Sequence, residues 1–238
     1  MTERLFMNDA TLAECSATVL QSGPAGIVLD RTVFYARSGG QVGDIGVLAW
    51  GGGTATITDT VKGEGDAILH LPAPDAALPL AGVSVTATLD WPRRQALMRM
   101  HTTLHLLCAV LPGIAVTGGA VNPDRSRLDF DLPNPPTKEE VEAQLNELIA
   151  GGHPVTTEWV DASVLDTNPG LVRTLSVQPP RGTGRLRLVR IGASDAPVDL
   201  QPCGGTHVAH TGLIGRMAIL KIENKGKQNR RIIVAPAA

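Results

Sequence analysis

The chain has 238 residues, of which 43% are hydrophobic and 3% aromatic, and its formal net charge is −2. This length allows one large domain or two of ordinary size, and the few aromatic residues argue against extensive base stacking. No stretch reaches the roughly 18 apolar residues of a membrane span, and the first residues lack the apolar segment of a secretory signal. Three widely spaced cysteines argue against a disulfide scaffold. We therefore expect a soluble cytoplasmic protein with neither DNA nor a membrane as a partner.

Residues 1–90 have the pattern of an all-β domain. Short apolar runs alternate with Gly, Pro and Asp, and many short strands at close spacing predict a small barrel or sandwich. A glycine-rich segment, residues 34–46, lies within this pattern. It can line a cleft with backbone N–H groups, or it can form a tight turn between strands. The predicted strands include residues 17–20, 26–29, 54–58 and 83–89.

Residues 91–238 combine helices with strands. Asp90 is placed to cap a helix that has Pro92 in its first turn and runs to about Leu111. Residues 137–140 form a capping box for a second helix, which is expected to end at residues 151–152. Helices segregated from mostly antiparallel strands predict an α+β domain. Its predicted strands are residues 114–121, 127–132, 155–160, 185–191, 217–223 and 231–234.

Two histidines lie on the first helix predicted in this domain. His101 and His105 are four residues apart, so their rings lie side by side and close enough to share one metal ion. A buried, hydrogen-bonded pair of histidines would explain the same spacing. Cys108 lies one turn further on and is a rival ligand, although a buried helical cysteine usually serves only packing.

A turn late in the chain, from Cys203 to His207, supplies a thiol and a third imidazole. Gly204 and Gly205 allow a tight backbone turn and a close approach to a bound group. Three imidazoles and one thiolate are a donor set suited to zinc. A zinc peptidase fits poorly, because the helical sequence HTTLH has no Glu beside its first His. Spacing alone does not show that the four side chains meet, and His210 is a possible competitor for His207.

The C-terminal part of the chain is basic. Residues 181–231 carry ten Lys/Arg against three Asp/Glu, although the whole chain has a net charge of −2. This distribution predicts a polyanionic partner for that part of the surface. Solvated charges on sheet edges would give the same pattern.

Several motifs occur in one order along almost the whole chain. They are FYARSGGQVGDIG (34–46), HTTLHLL (101–107), VTGGAV (116–121), RLDFD (127–131), QPCGGTHV (201–208), HTGLIG (210–215) and KGKQNRRI (225–232). Together they resemble the editing domains of alanyl-tRNA synthetases. The resemblance is stronger still to the free-standing alanyl-tRNA editing proteins, the AlaX family, in their medium-sized form.

The resemblance implies an N-terminal β-barrel like those of translation factors. It implies a C-terminal α+β editing domain of the type shared by threonyl- and alanyl-tRNA synthetases. The implied activity is hydrolysis of the ester that joins serine, and sometimes glycine, to alanine tRNA. No alanylation region is present, so we expect the chain to correct misacylated alanine tRNA in trans. The sequence does not reveal the oligomeric state, and a monomer is the expectation. By motif position, the Zn²⁺ ligands would be His101, His105, Cys203 and His207.

Further site residues follow from this implied chemistry. A pocket that prefers serine must reward its hydroxyl, because an alanyl ester would leave buried polar groups unpaired. The expected substrate-binding residues are Ser38, Gly39, Gly40, Gln41, Gly118 and Gly119. Zinc is expected to activate the attacking water or to position the ester, while N–H groups of a glycine turn, either Gly118-Gly119 or Gly204-Gly205, stabilise the oxyanion. The expected catalytic residues are Thr103, Asp199, Gly204 and Gly205.

Asp199 has two interpretations, since it either orients a ligand imidazole or is a plain surface carboxylate. For the tRNA phosphates, the expected contacts are Arg93, Arg94, Lys225, Lys227, Arg230 and Arg231. Four protein ligands would close a tetrahedral zinc site, so either the ion becomes five-coordinate, one ligand stays off it, or zinc mainly holds the substrate's amino group. A non-catalytic, zinc-stabilised tRNA-binding module is therefore the alternative function.

Overall fold

The structure is a computed structural model that describes residues 1–174 and 184–237. The chain divides into two compact units, Met1–Gln95 and Ala96–Ala238. This division lies a few residues after the predicted one at residue 90. Within the described residues, no helix is long and apolar enough to cross a membrane.

The first unit is built around a closed barrel. Within residues 1–95, the strands are β1 (Glu3–Arg4), β2 (Glu14–Gly23), β3 (Gly26–Leu29), β4 (Arg31–Thr32), β5 (Gly46–Trp50), β6 (Gly53–Lys62), β7 (Ile68–Pro72) and β8 (Ser84–Leu89). Six of them close into a barrel in the order β2, β3, β7, β6, β5, β8, whereas β1 and β4 pair in parallel beside it. The prediction of a small barrel or sandwich is confirmed in its barrel form.

Alternating side chains fill the interior of this barrel. Along β6 and β8, Ala55, Ile57, Ala87 and Leu89 are buried, while the residues between them are more exposed. Side chains on a strand point to opposite faces in turn, so this alternation places the apolar set inside. Closure also removes the unpaired edges that an open sheet of the same strands would expose.

The glycine-rich segment forms a tight turn between β4 and β5. Ser38 and Gln41 exchange backbone hydrogen bonds of 3.1 and 2.9 Å, and Gly39 and Gly40 between them have φ values of 55° and 83°. Glycine reaches positive φ at no steric cost, which suits both central positions of such a turn. The tight-turn alternative therefore describes this backbone, and substrate binding by these residues stays a prediction.

A buried ion pair stands behind this turn. The Asp44 carboxylate accepts a hydrogen bond of 2.6 Å from the Tyr35 N–H and pairs with the guanidinium of Arg94. Arg94 has no exposed surface and also donates to the carbonyls of Val33 and Ala10. A guanidinium enclosed in this way cannot reach a phosphate. The prediction that Arg94 binds tRNA is therefore wrong.

The second unit combines helices with antiparallel sheets. Its described elements are α1 (Trp91–Val110, which begins in the first unit), β9 (Val116–Ala120), β10 (Ser126–Asp131), α2 (Lys138–Ala150), β11 (Val155–Asp161), α3 (Val164–Thr167), β12 (Arg185–Gly192), β13 (Pro197–Pro202), β14 (Met217–Asn224) and β15 (Asn229–Pro236). One sheet has the order β14, β15, β10, β9, and the other has the order β11, β12, β13.

The predicted helix boundaries are confirmed by their capping contacts. The Asp90 carboxylate accepts from the Arg93 N–H at 3.1 Å, which caps α1. Thr137 and Glu140 form the full capping box of α2, and Gly151 is its C-cap. Such caps satisfy backbone groups that the helix itself leaves unpaired. Residues 101–108 of α1 are all buried, so this part of the helix lies inside the second unit.

The buried ion pair of Arg94 and Asp44 allows a test of what stabilises the first unit. We expect Arg94→Met to lower the free energy of unfolding by about 3–5 kcal/mol, because it leaves the Asp44 carboxylate buried without its partner. Urea denaturation followed by circular dichroism measures the change. Arg37→Met is the control, since Arg37 pairs with Asp59 but its side chain is 60% exposed. The control should lose less than about 1 kcal/mol. Equal losses in the two variants would contradict this account.

Candidate metal centre

The second unit brings four predicted ligands together. His101 and His105 project from α1, while Cys203 and His207 lie on the turn that follows β13. One donor atom from each side chain lies within 4.8 Å of the other three. The Cys203 Sγ is 3.5 Å from the His101 Nε2 and 3.4 Å from the His207 Nε2. These side chains therefore form one cluster that could hold a metal ion.

The donor set and its spacing suit zinc. Zn–S bonds of about 2.3 Å and Zn–N bonds of about 2.0–2.1 Å place sulfur and nitrogen ligands about 3.5 Å apart at the corners of a tetrahedron. The two sulfur–nitrogen distances at Cys203 match that value. Cys108 is buried and does not belong to the cluster found among the described residues. His210, the other rival ligand, is exposed and does not belong to this cluster either.

Asp199 orients the ring of His105. Its Oδ2 lies 2.9 Å from the His105 Nδ1 and also accepts from the Gln201 amide at 2.8 Å. An Nδ1–H donated to this carboxylate leaves the Nε2 of His105 for a metal. Asp199 is 2% exposed, so the alternative of a plain surface carboxylate is wrong.

Thr102 orients the ring of His207 in the same way. The Thr102 hydroxyl donates its one proton to the Met98 carbonyl at 2.9 Å, so its oxygen is left to accept. It lies 3.1 Å from the His207 Nδ1 and 3.3 Å from the Val208 N–H. An Nδ1–H on His207 then leaves its Nε2, the atom beside Cys203, unprotonated.

The Cys203 turn is held by Arg187 on β12. The Arg187 guanidinium donates to the carbonyls of Cys203 and Gly205 at 2.8 and 3.0 Å. The Gly205 N–H lies 3.3 Å from the Cys203 Sγ and donates to the sulfur. This N–H is therefore engaged by the ligand itself, which corrects the expectation that Gly205 stabilises an oxyanion. Gly204 is exposed, and its catalytic role stays a prediction.

The side chains of the cluster shift one another's pKa values. Burial raises the pKa of the Cys203 thiol, but the imidazoles of His101 and His207 outweigh burial and hold this pKa well below its usual range. Burial lowers the pKa of His105, yet the Asp199 and Cys203 contacts raise it to about 10. Burial, followed by repulsion from His101, lowers the pKa of His207 to about 3. Without metal, the cluster therefore holds a thiolate beside a protonated His105.

Some predicted residues lie elsewhere. The Thr103 hydroxyl is buried and donates to the Arg99 carbonyl at 2.8 Å, so Thr102 rather than Thr103 contacts a ligand. This corrects the expectation that Thr103 is a catalytic residue. Gly118 and Gly119 lie on β9, opposite Asp129 and Leu128 of β10, and their substrate contacts stay predictions.

The basic strip, which consists of the predicted phosphate contacts Lys225, Lys227, Arg230 and Arg231, differs along its length in exposure and in hydrogen-bond partners. Lys225 and Lys227 are exposed on the β14–β15 loop, and the Lys225 Nζ is 3.3 Å from a Glu223 oxygen. The Arg230 guanidinium donates to backbone carbonyls, including that of Pro133 at 2.7 Å. Both Asp129 oxygens accept from Arg231 at 2.7 and 2.8 Å. In the first unit, Arg93 donates to the Gly43 carbonyl at 2.8 Å. Phosphate contacts by these residues stay predictions.

Sequence reasoning missed the roles of Arg187 and Gln201. Both are buried polar residues that support the ligands from β12 and β13. A signal was present, because Asp199, Gln201 and Cys203 are spaced by two residues, which is the spacing of side chains that point to one face of a strand.

Comparison with known proteins gives matches in both units. The family "Threonyl and Alanyl tRNA synthetase second additional domain" matches residues 186–233, and "tRNA synthetases class II (A)" matches residues 5–93. The alanyl-tRNA editing protein AlaX-M of Saccharolobus solfataricus is 31% identical, and that of Methanosarcina acetivorans is 36% identical. Each alignment covers 98% of both chains. The alanine–tRNA ligase of Pyrobaculum arsenaticum is 36% identical over 93% of this chain, which spans only 25% of that ligase.

The bond between Thr102 and His207 makes a test of the cluster. We expect Thr102→Val to weaken zinc binding by about 10- to 100-fold, because it removes the acceptor for the Nδ1–H of His207. Competition with a chromophoric chelator measures the affinity. Thr103→Val is the matched control, since this neighbouring buried hydroxyl also donates to a helix carbonyl but contacts no ligand. A similar loss in both variants would show that packing, and not orientation of His207, is responsible.

The raised pKa of His105 predicts that zinc binding depends on pH. The metal-free cluster holds a proton on His105 up to about pH 10, and zinc must displace that proton. Between about pH 7 and pH 9, apparent zinc affinity should therefore rise about tenfold per pH unit. Zinc titrations in buffers of matched ionic strength measure the slope. An affinity that does not change with pH would contradict the proton displacement.

Proposed function

This chain belongs to the family of free-standing alanyl-tRNA editing proteins, AlaX-M, and from that premise we propose that it hydrolyses the ester of misacylated alanine tRNA. The wrong amino acid would be serine, with glycine as a second substrate. One observation carries the proposal, namely the cluster of His101, His105, Cys203 and His207. Alignment with the AlaX-M relatives over 98% of both chains supports the proposed editing of alanine tRNA, and we include in the proposal that the tRNA is charged by a separate ligase.

The proposed metal is zinc, held by those four side chains. A bound zinc ion would polarise the ester and lower the pKa of a water molecule to roughly 7. The chain's own residues prepare this chemistry, because Asp199 and Thr102 each hold one imidazole with its Nε2 toward the cluster. The three histidines are buried, whereas Cys203 is partly exposed and Gly204 exposed. We therefore place the approach of the ester on the Cys203 side.

The need for such a hydrolase follows from the size of the amino acids. Serine exceeds alanine by one hydroxyl, and glycine lacks one methyl group. An apolar pocket that selects alanine rejects such neighbours only about a hundredfold, so a second hydrolytic site supplies the remaining accuracy. This second site can use buried polar groups, which an alanyl ester would leave unpaired.

The polyanionic partner would be the tRNA itself. Lys225 and Lys227 are the exposed part of the basic strip, and they are our candidates for contacts with phosphate. Contacts of this kind release counterions from the nucleic acid, so affinity should fall as salt is added. Arg93 remains a further candidate.

Deacylation assays test this function. We expect hydrolysis of seryl- and glycyl-tRNA(Ala) but not of alanyl-tRNA(Ala), with loss of activity on chelation and recovery with zinc. Cys203→Ala should lower kcat/KM on the order of 100-fold or more, because it removes a ligand.

Cys15→Ala is the control for this assay, since Cys15 is a free cysteine on β2 of the first unit, outside the cluster, and its loss should leave activity near that of the wild type. Absence of ester hydrolysis in a zinc-loaded protein that still binds tRNA would refute the proposal. That result would favour the non-catalytic tRNA-binding module instead.

A further inference from the structure

An exposed tryptophan lies on the edge strand of the second sheet. Trp159 is on β11 and is 41% exposed, the largest exposure of any aromatic side chain among the described residues. The guanidinium carbon of Arg185 on β12 lies 5.8 Å from the centroid of its ring. An indole beside a guanidinium offers a flat surface and a positive charge at one place.

Trp159 faces the same side of the sheet as the metal centre. The strand register pairs Trp159 with Arg187, and side chains directly opposite each other in a ladder share a face. Arg187 reaches across to the carbonyls of Cys203 and Gly205. On the same face of β13, Gln201 lies opposite Val189, two residues along β12 from Arg187. Trp159 and the ligand cluster therefore lie on the same face of the sheet.

The separation between them is short. Trp159 pairs with Arg187, and the Cys203 N–H donates to the Arg187 carbonyl at 3.1 Å, so these three residues form one row across the sheet. Neighbouring strands are about 4.8 Å apart, which places Trp159 about 10 Å from Cys203 along that row. In an aminoacyl-tRNA, only the ribose separates the terminal nucleobase from the ester. A base stacked on Trp159 and an ester bound at the cluster are thus close enough to be parts of the same terminal nucleoside.

We propose that Trp159, with Arg185 beside it, is the stacking platform for the terminal nucleobase of the aminoacyl-tRNA. This inference rests on the proposed function. Stacking on an aromatic ring is tolerant of sequence, and it contributes to binding without reading the base. The charges near the ring suit a nucleotide, because Arg185 is exposed and Glu158 is paired with Arg190 on the other face. Asp161, opposite Arg185, is a carboxylate on this same face of the sheet.

Fluorescence tests the platform without any need for catalysis. In a Trp50→Phe, Trp91→Phe protein, Trp159 is the one remaining tryptophan. We expect saturable quenching of its emission by adenosine 5′-monophosphate and by a CCA trinucleotide. Emission that does not change with either probe would overturn the inference.

Kinetics test whether the platform serves the reaction. Trp159→Ala should raise KM for seryl-tRNA(Ala) about tenfold or more with little change in kcat, and Trp159→Phe should restore most of the affinity. Leu220→Ala is the matched control, since it removes a 49% exposed apolar side chain from β14 in the other sheet. Zinc content should be the same in all these proteins.

The outcomes separate the two proposals. If the wild type deacylates and Trp159→Ala has the same KM, the platform is wrong and the proposed function stands. If the wild type does not deacylate but nucleotides quench Trp159, the function is wrong and the site remains a nucleotide platform. If Trp159→Ala abolishes a dimer and nucleotides have no effect, the ring instead covers a second copy of the chain, which overturns the inference.

Discussion

The candidate metal centre depends on presenting the correct nitrogen of each imidazole to one point. A buried ring that offers Nε2 must have its Nδ1–H bonded elsewhere, or that group would be left unpaired. His105 gives its Nδ1–H to Asp199 on β13, and His207 gives its own to Thr102 on α1. Arg187 on β12 then holds the Cys203 turn by two carbonyls. The packing of α1 against this sheet therefore also sets the geometry of the ligands.

Local signals made much of the fold predictable. The Asp90 cap, the Thr137 capping box and strand β3 follow from residues that are neighbours in the chain, and the structure has them where the sequence indicated. Strand β13 escaped prediction, because prolines at both ends hide a six-residue run that includes a carboxylate. Missing it also hid the shared face of Asp199, Gln201 and Cys203. Helical spacing likewise could not tell Thr102 from Thr103, since the difference lies in His207, far along the chain.

Charge was the least predictable property. Arg94 and Lys227 count equally in a sequence, yet one is enclosed beside Asp44 and the other lies on an exposed loop. What separates them is a carboxylate fifty positions away in the chain, which no local pattern reveals. Arg231 is similar, because Asp129 on the neighbouring strand takes its guanidinium. A basic segment therefore indicates a polyanionic partner more reliably than it identifies the residues that touch it.

The low pKa of Cys203 has a chemical consequence of its own. A thiolate is the form of cysteine that oxidants attack, and Cys203 is partly exposed, with a backbone N–H already directed at its sulfur. The other cysteines, Cys15 and Cys108, are free and form no disulfide with it. When metal is absent, oxidation can therefore proceed past the sulfenic acid to forms that do not revert. The low pKa that prepares Cys203 as a ligand thus also makes its metal-free thiolate the form of cysteine that oxidants attack.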